Sequence, residues 1–186
     1  MADQPDAADA ELRALMERYQ GGDPDAFDAI YSRTLPMVRG HLSALTVDRS
    51  ITNDLVQDVY LQMHRARRTY DRSRPVRPWI AGITRHVWLM SKRTYARRRS
   101  PETLGLDQSL EVAVLPDLDG FADRDALARA LSATPDDQRE ALVLHHVCGF
   151  TFREIGHTTG CSEGAARIRA SRGMAEVRRQ LRGDHS

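Results

Sequence analysis

Apolar positions along this chain return at spacings of three and four, and runs of alternating β-branched residues are missing. Helices are therefore the expected elements. "AELRALMERY" sets Leu12, Leu15, Met16 and Tyr19 on one stripe. In "GGDPDAF", Asp23 is placed to cap a helix and Pro24 to occupy its first position. That helix carries Phe27, Ile30 and Tyr31. Pro36 is expected to interrupt it and start another, with Met37, Val38, Leu42 and Leu45 inward. The next helix runs from about residue 52 to 69, with Leu55, Val56, Val59, Leu61 and Met63 apolar and Asp54, Gln57 and Asp58 polar. "YDRSRPVRP" reads as a loop, because two prolines and a serine break helical continuity. Residues 76–99 predict a long helix with Trp79, Ile80, Ile83, Val87 and Leu89 inside and arginines outside.

The periodicity then lapses. Residues 100–122 contain two prolines and two glycines and little patterned apolar content, which predicts a linker between two helical domains. Four helices fit the remainder, over about 123–132, 135–148, 151–158 and 162–182. The last two predict a helix-turn-helix. Gly160 stands where the turn needs a residue tolerant of positive φ, and Ser162 can cap the helix after it. The expected fold is all-α: a helical domain over 1–99, a flexible linker over 100–122 and a helix-turn-helix domain over 123–186.

Composition changes this picture only once the charges are placed. The formal net charge of the 186 residues is +1, yet residues 65–99 hold twelve Arg/Lys against one acid, Asp71. Residues 1–28 hold eight acids against two arginines, and 102–125 hold seven against one. From 153 to 182 the balance is seven basic to three acidic. Two basic blocks separated by acidic ones imply two polyanion-binding surfaces on one neutral-looking chain. No stretch approaches the eighteen or so apolar residues of a membrane span, and the N-terminus is acidic rather than signal-like. Two cysteines, Cys148 and Cys161, give no disulfide framework, so a reduced, cytoplasmic protein without membrane insertion is expected.

Arg167, Arg169 and Arg172 project from overlapping outer faces of a helix begun at Ser162, and arginine suits both phosphate and guanine edges. An ordinary helical hairpin with a solvated basic face competes with that reading. The block from 65 to 99 interleaves arginines with Tyr70, Trp79, Trp88 and Tyr95. Such a surface attracts a nucleic-acid backbone and offers rings to unpaired bases, although Trp79 also fits a plain core position. The loop "RRTYDRSRPVRP" is the better place for base capture.

These segments together resemble a bacterial RNA polymerase sigma factor of the extracytoplasmic-function group. "GDPDAFDAIYSRTLPMVRGHL" matches the family's opening helices, and "TNDLVQDVYLQMHRAR" resembles its acidic-Leu-x-Gln-acidic helix. "RPWIAGITRHVWLMSKR" resembles the helix after the promoter-melting loop, and "LVLHHVCGFTFREIGHTTGCSEGAARIRASRGMAEVRRQL" its C-terminal helix-turn-helix. The resemblance implies that Asp54, Gln57 and Asp58 dock on the β′ clamp helices of core RNA polymerase. It implies that Tyr70, Arg72, Arg74, Arg77, Trp79, Arg85 and His86 serve the −10 element and its melting, the loop holding a flipped base. Arg167, Arg169 and Arg172 would read the −35 duplex while other faces of that domain touch the β flap. Duplex and single-stranded promoter DNA are both implied partners, and no cofactor, metal or catalytic group is. Control by a separate anti-sigma factor is implied too, since no sensory domain is expected after the last helix.

The chain departs from the family pattern in places. His86 stands where the family usually has Asn, Met90 where Asp is frequent, and Ala165-Ala166 where Thr-Val is usual. These bear on promoter preference. Two other readings compete. One is a polymerase-independent helix-turn-helix regulator with an N-terminal sensing domain. The other is a metal or redox sensor built on His145, His146, Cys148 and Cys161, whose spacing matches no zinc finger.

Overall fold

A computed structural model describes residues 4–46, 49–98 and 124–183, and among them every regular element is a helix. In chain order these are α1 (Gln4–Gln20), α2 (Pro24–Leu45), α3 (Arg49–Ala66), α4 (Val76–Arg98), α5 (Arg124–Ala133), α6 (Asp136–His146), α7 (Phe152–Thr159) and α8 (Glu163–Gly183). A single 3₁₀ turn, Arg67–Thr69, extends α3 toward the loop. The linker expected over 100–122 lies outside the described residues. No helix among them is long and apolar enough to cross a membrane.

Local chemistry sets most boundaries. Asp23 caps α2, its carboxylate accepting from the amides of Asp25 at 3.0 Å and Ala26 at 3.4 Å. Thr151 and Glu154 form a reciprocal capping box on α7. Gly160 ends α7 at φ +72°, and Ser162 Oγ accepts from the Ala165 amide to start α8. A Cβ on Gly156 would stand 2.7 Å from the Cys161 carbonyl, so the helix-turn-helix closes on a backbone contact that only glycine permits.

One boundary differs from expectation. Pro36 does not divide the chain there: α2 runs unbroken from Pro24 to Leu45. Pro36 and Ser32 both lie on the exposed face, so water can serve the Ser32 carbonyl that a proline cannot. Thr34, Met37 and Val38 stay buried on the inner face and hold the axis through the gap.

The N-terminal half packs α1, α2, α3 and α4 around Met16, Ile30, Val38, Leu42, Val59, Met63 and Ile80. The C-terminal half packs α5, α6 and α8 around Leu127, Leu131, Leu142, Val177 and Leu181. The halves are not independent bodies. α6 lies on α2 and α7 lies on α4, so that Leu144, Cys148, Phe150 and Ile155 join the N-terminal core. On α6, Arg139 through Leu144 are all buried, the mark of a helix covered on every side. Buried Arg139 turns this into a joint. Its guanidinium donates to the carbonyls of Leu131 and Thr134 at the end of α5, and to that of Ala44 at the end of α2.

Candidate nucleic-acid interface

On α3 the inward positions Leu55, Val56, Val59 and Met63 fix the opposite face. Asp54, Gln57 and Asp58 all fall there, exposed. The expectation that they share an edge holds. Leu61, read from the sequence as one of the apolar set, is 46 % exposed and extends that edge by one turn. Positions 54, 57, 58 and 61 follow the three-four rule, so the signal was present but attached to the wrong face. Asp54 and Asp58 also line a groove of about 430 Å³ with His86 and exposed Met90, which joins the acidic edge to α4.

The loop between α3 and α4 is only partly the exposed trap expected of it. Tyr70 is buried, its ring 5.0 Å from that of Trp79 and its hydroxyl donating to the Arg74 carbonyl. Tyr70 thus builds the floor of the loop, its ring turned to Trp79 and not to solvent. Burial pushes its phenol up to about 12. α1 ties the loop down, with Gln20 donating to the carbonyls of Arg67 and Tyr70 and Asp9 accepting the Val76 amide at 3.1 Å. Arg72 is held against Glu17 at 2.5 Å and Gln20 at 2.9 Å, while Asp71, Ser73 and Arg74 stay exposed.

On α4 the two tryptophans divide their roles. Trp88 is buried, whereas Trp79 is half-buried and lines a cavity of about 830 Å³ between α3, α4 and α7. Ile83, His86 and Arg74 line the same space from the N-terminal half, and Arg153 and His157 from α7. Nothing in the sequence placed α7 there.

Three of the basic residues assigned to DNA reach the C-terminal half, Arg74 while remaining exposed. Arg74 reaches His157 at 3.4 Å. Arg77 lies 5.3 Å over the Phe150 ring and donates to the Cys148 carbonyl. Arg85 pairs with Glu140 at 3.2 Å. Glu140 also receives His41 Nε2 at 3.0 Å, both side chains being withdrawn from water. Burial would raise the Glu140 carboxyl, yet the hydrogen bond and charge of His41 and those of Arg85 outweigh it and hold the group below its usual value. Lys92 and Asp136 add a cross-pair at 2.7 Å.

In the helix-turn-helix, Ala166, Ala170 and Gly173 face inward. Arg172 is exposed, and so is Arg167, which lies 5.1 Å over Phe152 and 3.4 Å from Glu163. Arg169 is set apart. It turns to the flank and pairs with Asp137 of α6 at 3.2 Å, because its position falls beside the buried stripe rather than opposite it. Cys148 is buried, its thiol pushed up to about 12 by that burial, and Cys161 is half-buried against Thr159. Among the described residues no three His, Cys, Asp or Glu side chains are grouped to hold a metal.

Two family models match the chain: Sigma-70 region 2 over residues 30–99 and Sigma-70, region 4 over residues 124–177. RNA polymerase sigma factor CarQ of Myxococcus xanthus is 33% identical over 166 residues, covering 89% of this chain and 95% of that one. The ECF RNA polymerase sigma factor SigK of Mycolicibacterium vanbaalenii is 28% identical, covering 92% and 90%. Among solved structures, the sigma factor RpoE of Bartonella quintana, crystallised with the anti-sigma factor NepR, superposes with a TM-score of 0.70 at 24% identity, over 84% of this chain and 96% of that one. Two regions matched in order on one chain, with relatives aligned nearly end to end, fit the two basic surfaces and the helix-turn-helix described above. The chain therefore belongs to the RNA polymerase sigma factors, in their extracytoplasmic-function group, whose members bind core polymerase and recognise promoters to initiate transcription.

Proposed function

We propose a division of labour among the faces just described. The exposed edge of Asp54, Gln57, Asp58 and Leu61 docks on the β′ clamp helices, where an acidic rim around one leucine supplies both steering and an apolar anchor. Arg72, Arg74 and Arg77, with Trp79, Arg85 and His86, serve the −10 element, its base stacking in the cavity beside Trp79 rather than on Tyr70. Arg167 and Arg172 read or anchor the −35 duplex, with Arg169 as an auxiliary phosphate contact once Asp137 releases it. Residues 1–99 form the core- and −10-binding domain, 100–122 the linker and 123–186 the −35 domain, whose outer faces meet the β flap. The chain supplies no catalytic group of its own, because polymerase performs the chemistry. It works in the cytoplasm, where polymerase and promoters are, under the control of an anti-sigma factor.

The observation that carries this reading is the presence of one basic surface on α4 and the loop before it, a second on α8, and an exposed acidic edge with a leucine on α3. Reconstitution tests it. Core polymerase with the purified chain should initiate from a promoter that neither opens alone. Tight sequence-specific binding by the chain without polymerase, together with no recovery of core subunits, would instead mark a polymerase-independent regulator.

A further inference from the structure

The crest of α8 is apolar. With Ala166, Ala170, Gly173 and Val177 buried, a helix turning about 100° per residue places Ile168 almost directly opposite the buried stripe. Ile168 is 53 % exposed. Its neighbours one turn earlier are Gly164 and Ala165, which leave the helix surface bare around it, and one turn later come Ser171 and exposed Arg172. The two adjoining arginines lean away: Arg167 toward Phe152 and Glu163, Arg169 toward Asp137. An exposed side chain opposite the buried stripe of this helix is therefore one that can neither donate nor accept a hydrogen bond.

A lone exposed isoleucine is ordinary on a protein surface. This one sits between two guanidinium groups, on the second helix of a helix-turn-helix, at the depth where such helices meet base edges. The major groove offers one apolar feature, the C5 methyl of thymine. Isoleucine placed over cytosine would instead cover its N4 amino donor and leave it without a partner. We infer that Ile168 is a specificity-determining residue that selects thymine at one position of the −35 duplex through its methyl group. The inference rests on the assignment of α8 to that duplex.

Deoxyuridine lacks only the methyl, so it isolates the contact. The −35 element is first selected by wild-type holoenzyme from a randomised promoter library, and each thymine on either strand is then replaced by deoxyuridine. At one position the replacement should weaken wild-type holoenzyme binding about fourfold, the factor that one buried methyl commands. Holoenzyme carrying Ile168→Ala should bind thymine and deoxyuridine alike at that position. Ile168→Val, which keeps a branched apolar surface, should keep the discrimination. The inference is overturned if the selected element has no thymine, if no deoxyuridine matters to the wild type, or if the penalty survives in Ile168→Ala. Failure of the underlying assignment looks different: selection then returns no −35 preference, Arg167→Ala is without effect, and the thymine contact falls with it.

Discussion

The Glu140 carboxylate on α6 accepts a hydrogen bond from His41 Nε2 on α2 at 3.0 Å, across ninety-nine residues of sequence and inside the seam between the two halves. Arg85 of α4 completes the cluster from the side and remains partly open to solvent. One carboxylate of the C-terminal half thus neutralises a basic residue of the surface proposed for the −10 element. In this arrangement the C-terminal half lies against the face proposed above to meet DNA.

Removing that carboxylate should part the halves. Glu140→Ala leaves His41 buried without its acceptor, a loss of about 3 kcal/mol, the lower end for a broken buried pair because Arg85 can still reach water. The radius of gyration from small-angle scattering should rise while helical content stays constant. An unchanged radius would mean that Arg139 and the shared apolar contacts hold the seam without Glu140.

Acid should act in the same direction. Glu140 is held below its ordinary value by His41 and Arg85 against the effect of burial, and Asp136 is likewise lowered, burial being outweighed by Lys92 and Arg139. A carboxyl depressed in the folded state gives its full stabilisation above the unfolded value of about 4.3 for glutamate and loses it as pH falls through the folded value. Compactness should therefore persist near pH 7 and fail only in the acid range below that value. Opening near neutral pH would show that these carboxylates do not hold the halves together.

The edge proposed to face polymerase predicts a clean separation of binding from folding. Asp54→Arg with Asp58→Arg should reduce recovery of core subunits about tenfold or more, since reversed charge meets a partner built for acid. Leu61→Asp should do the same by removing the anchor. All three sites are exposed, so melting should shift little, each change being worth about 0.5 kcal/mol or less. Full recovery by the double variant would dismiss the edge as an ordinary solvated face.

Within the loop, Tyr70 and Arg74 should behave as opposites. Tyr70→Ala should destabilise the N-terminal half by about 3–5 kcal/mol, as for other large buried aromatics. Arg74→Ala should leave stability intact, lower initiation on duplex promoters and regain activity on a template with a mismatched bubble. A stable Tyr70→Ala with the same bubble rescue would restore that ring to base capture.

The two thiols should report on the seam. Cys148 is buried, with its Sγ 3.8 Å from the Met37 carbonyl and its thiol raised to about 12, so a thiol reagent at pH 8 should label it far more slowly than Cys161. Adding core polymerase should speed Cys148 labelling if docking separates α2 from α6. Equal rates with and without polymerase would show that the seam survives in the holoenzyme.

The sequence by itself determined the elements and the family. Three-four periodicity, the caps at Asp23, Thr151 and Ser162 and the left-handed Gly160 are local facts. A local fact survives any arrangement of the rest, which is why the bounds expected from α3 onward lie within three residues of those observed. The acidic edge of α3 was legible for the same reason. Pro36 was misread because its effect depends on whether the orphaned carbonyl faces water, and that is settled by which side of α2 the core lies on. The contacts that Tyr70, Arg77, Arg85 and Arg169 make were not legible, for a longer-range reason. Their partners, Trp79 apart, are Cys148, Phe150, Glu140 and Asp137, more than thirty residues away in each case or on a different helix, and no spacing along one helix encodes them. Only the packing of α6 on α2 and α7 on α4 decided that a surface rich in arginine, polyanion-binding by composition, is met in this fold by the chain's own carboxylate and carbonyls. Burial made those contacts strong, because a charge taken from water must find its counterpart wherever the fold provides it.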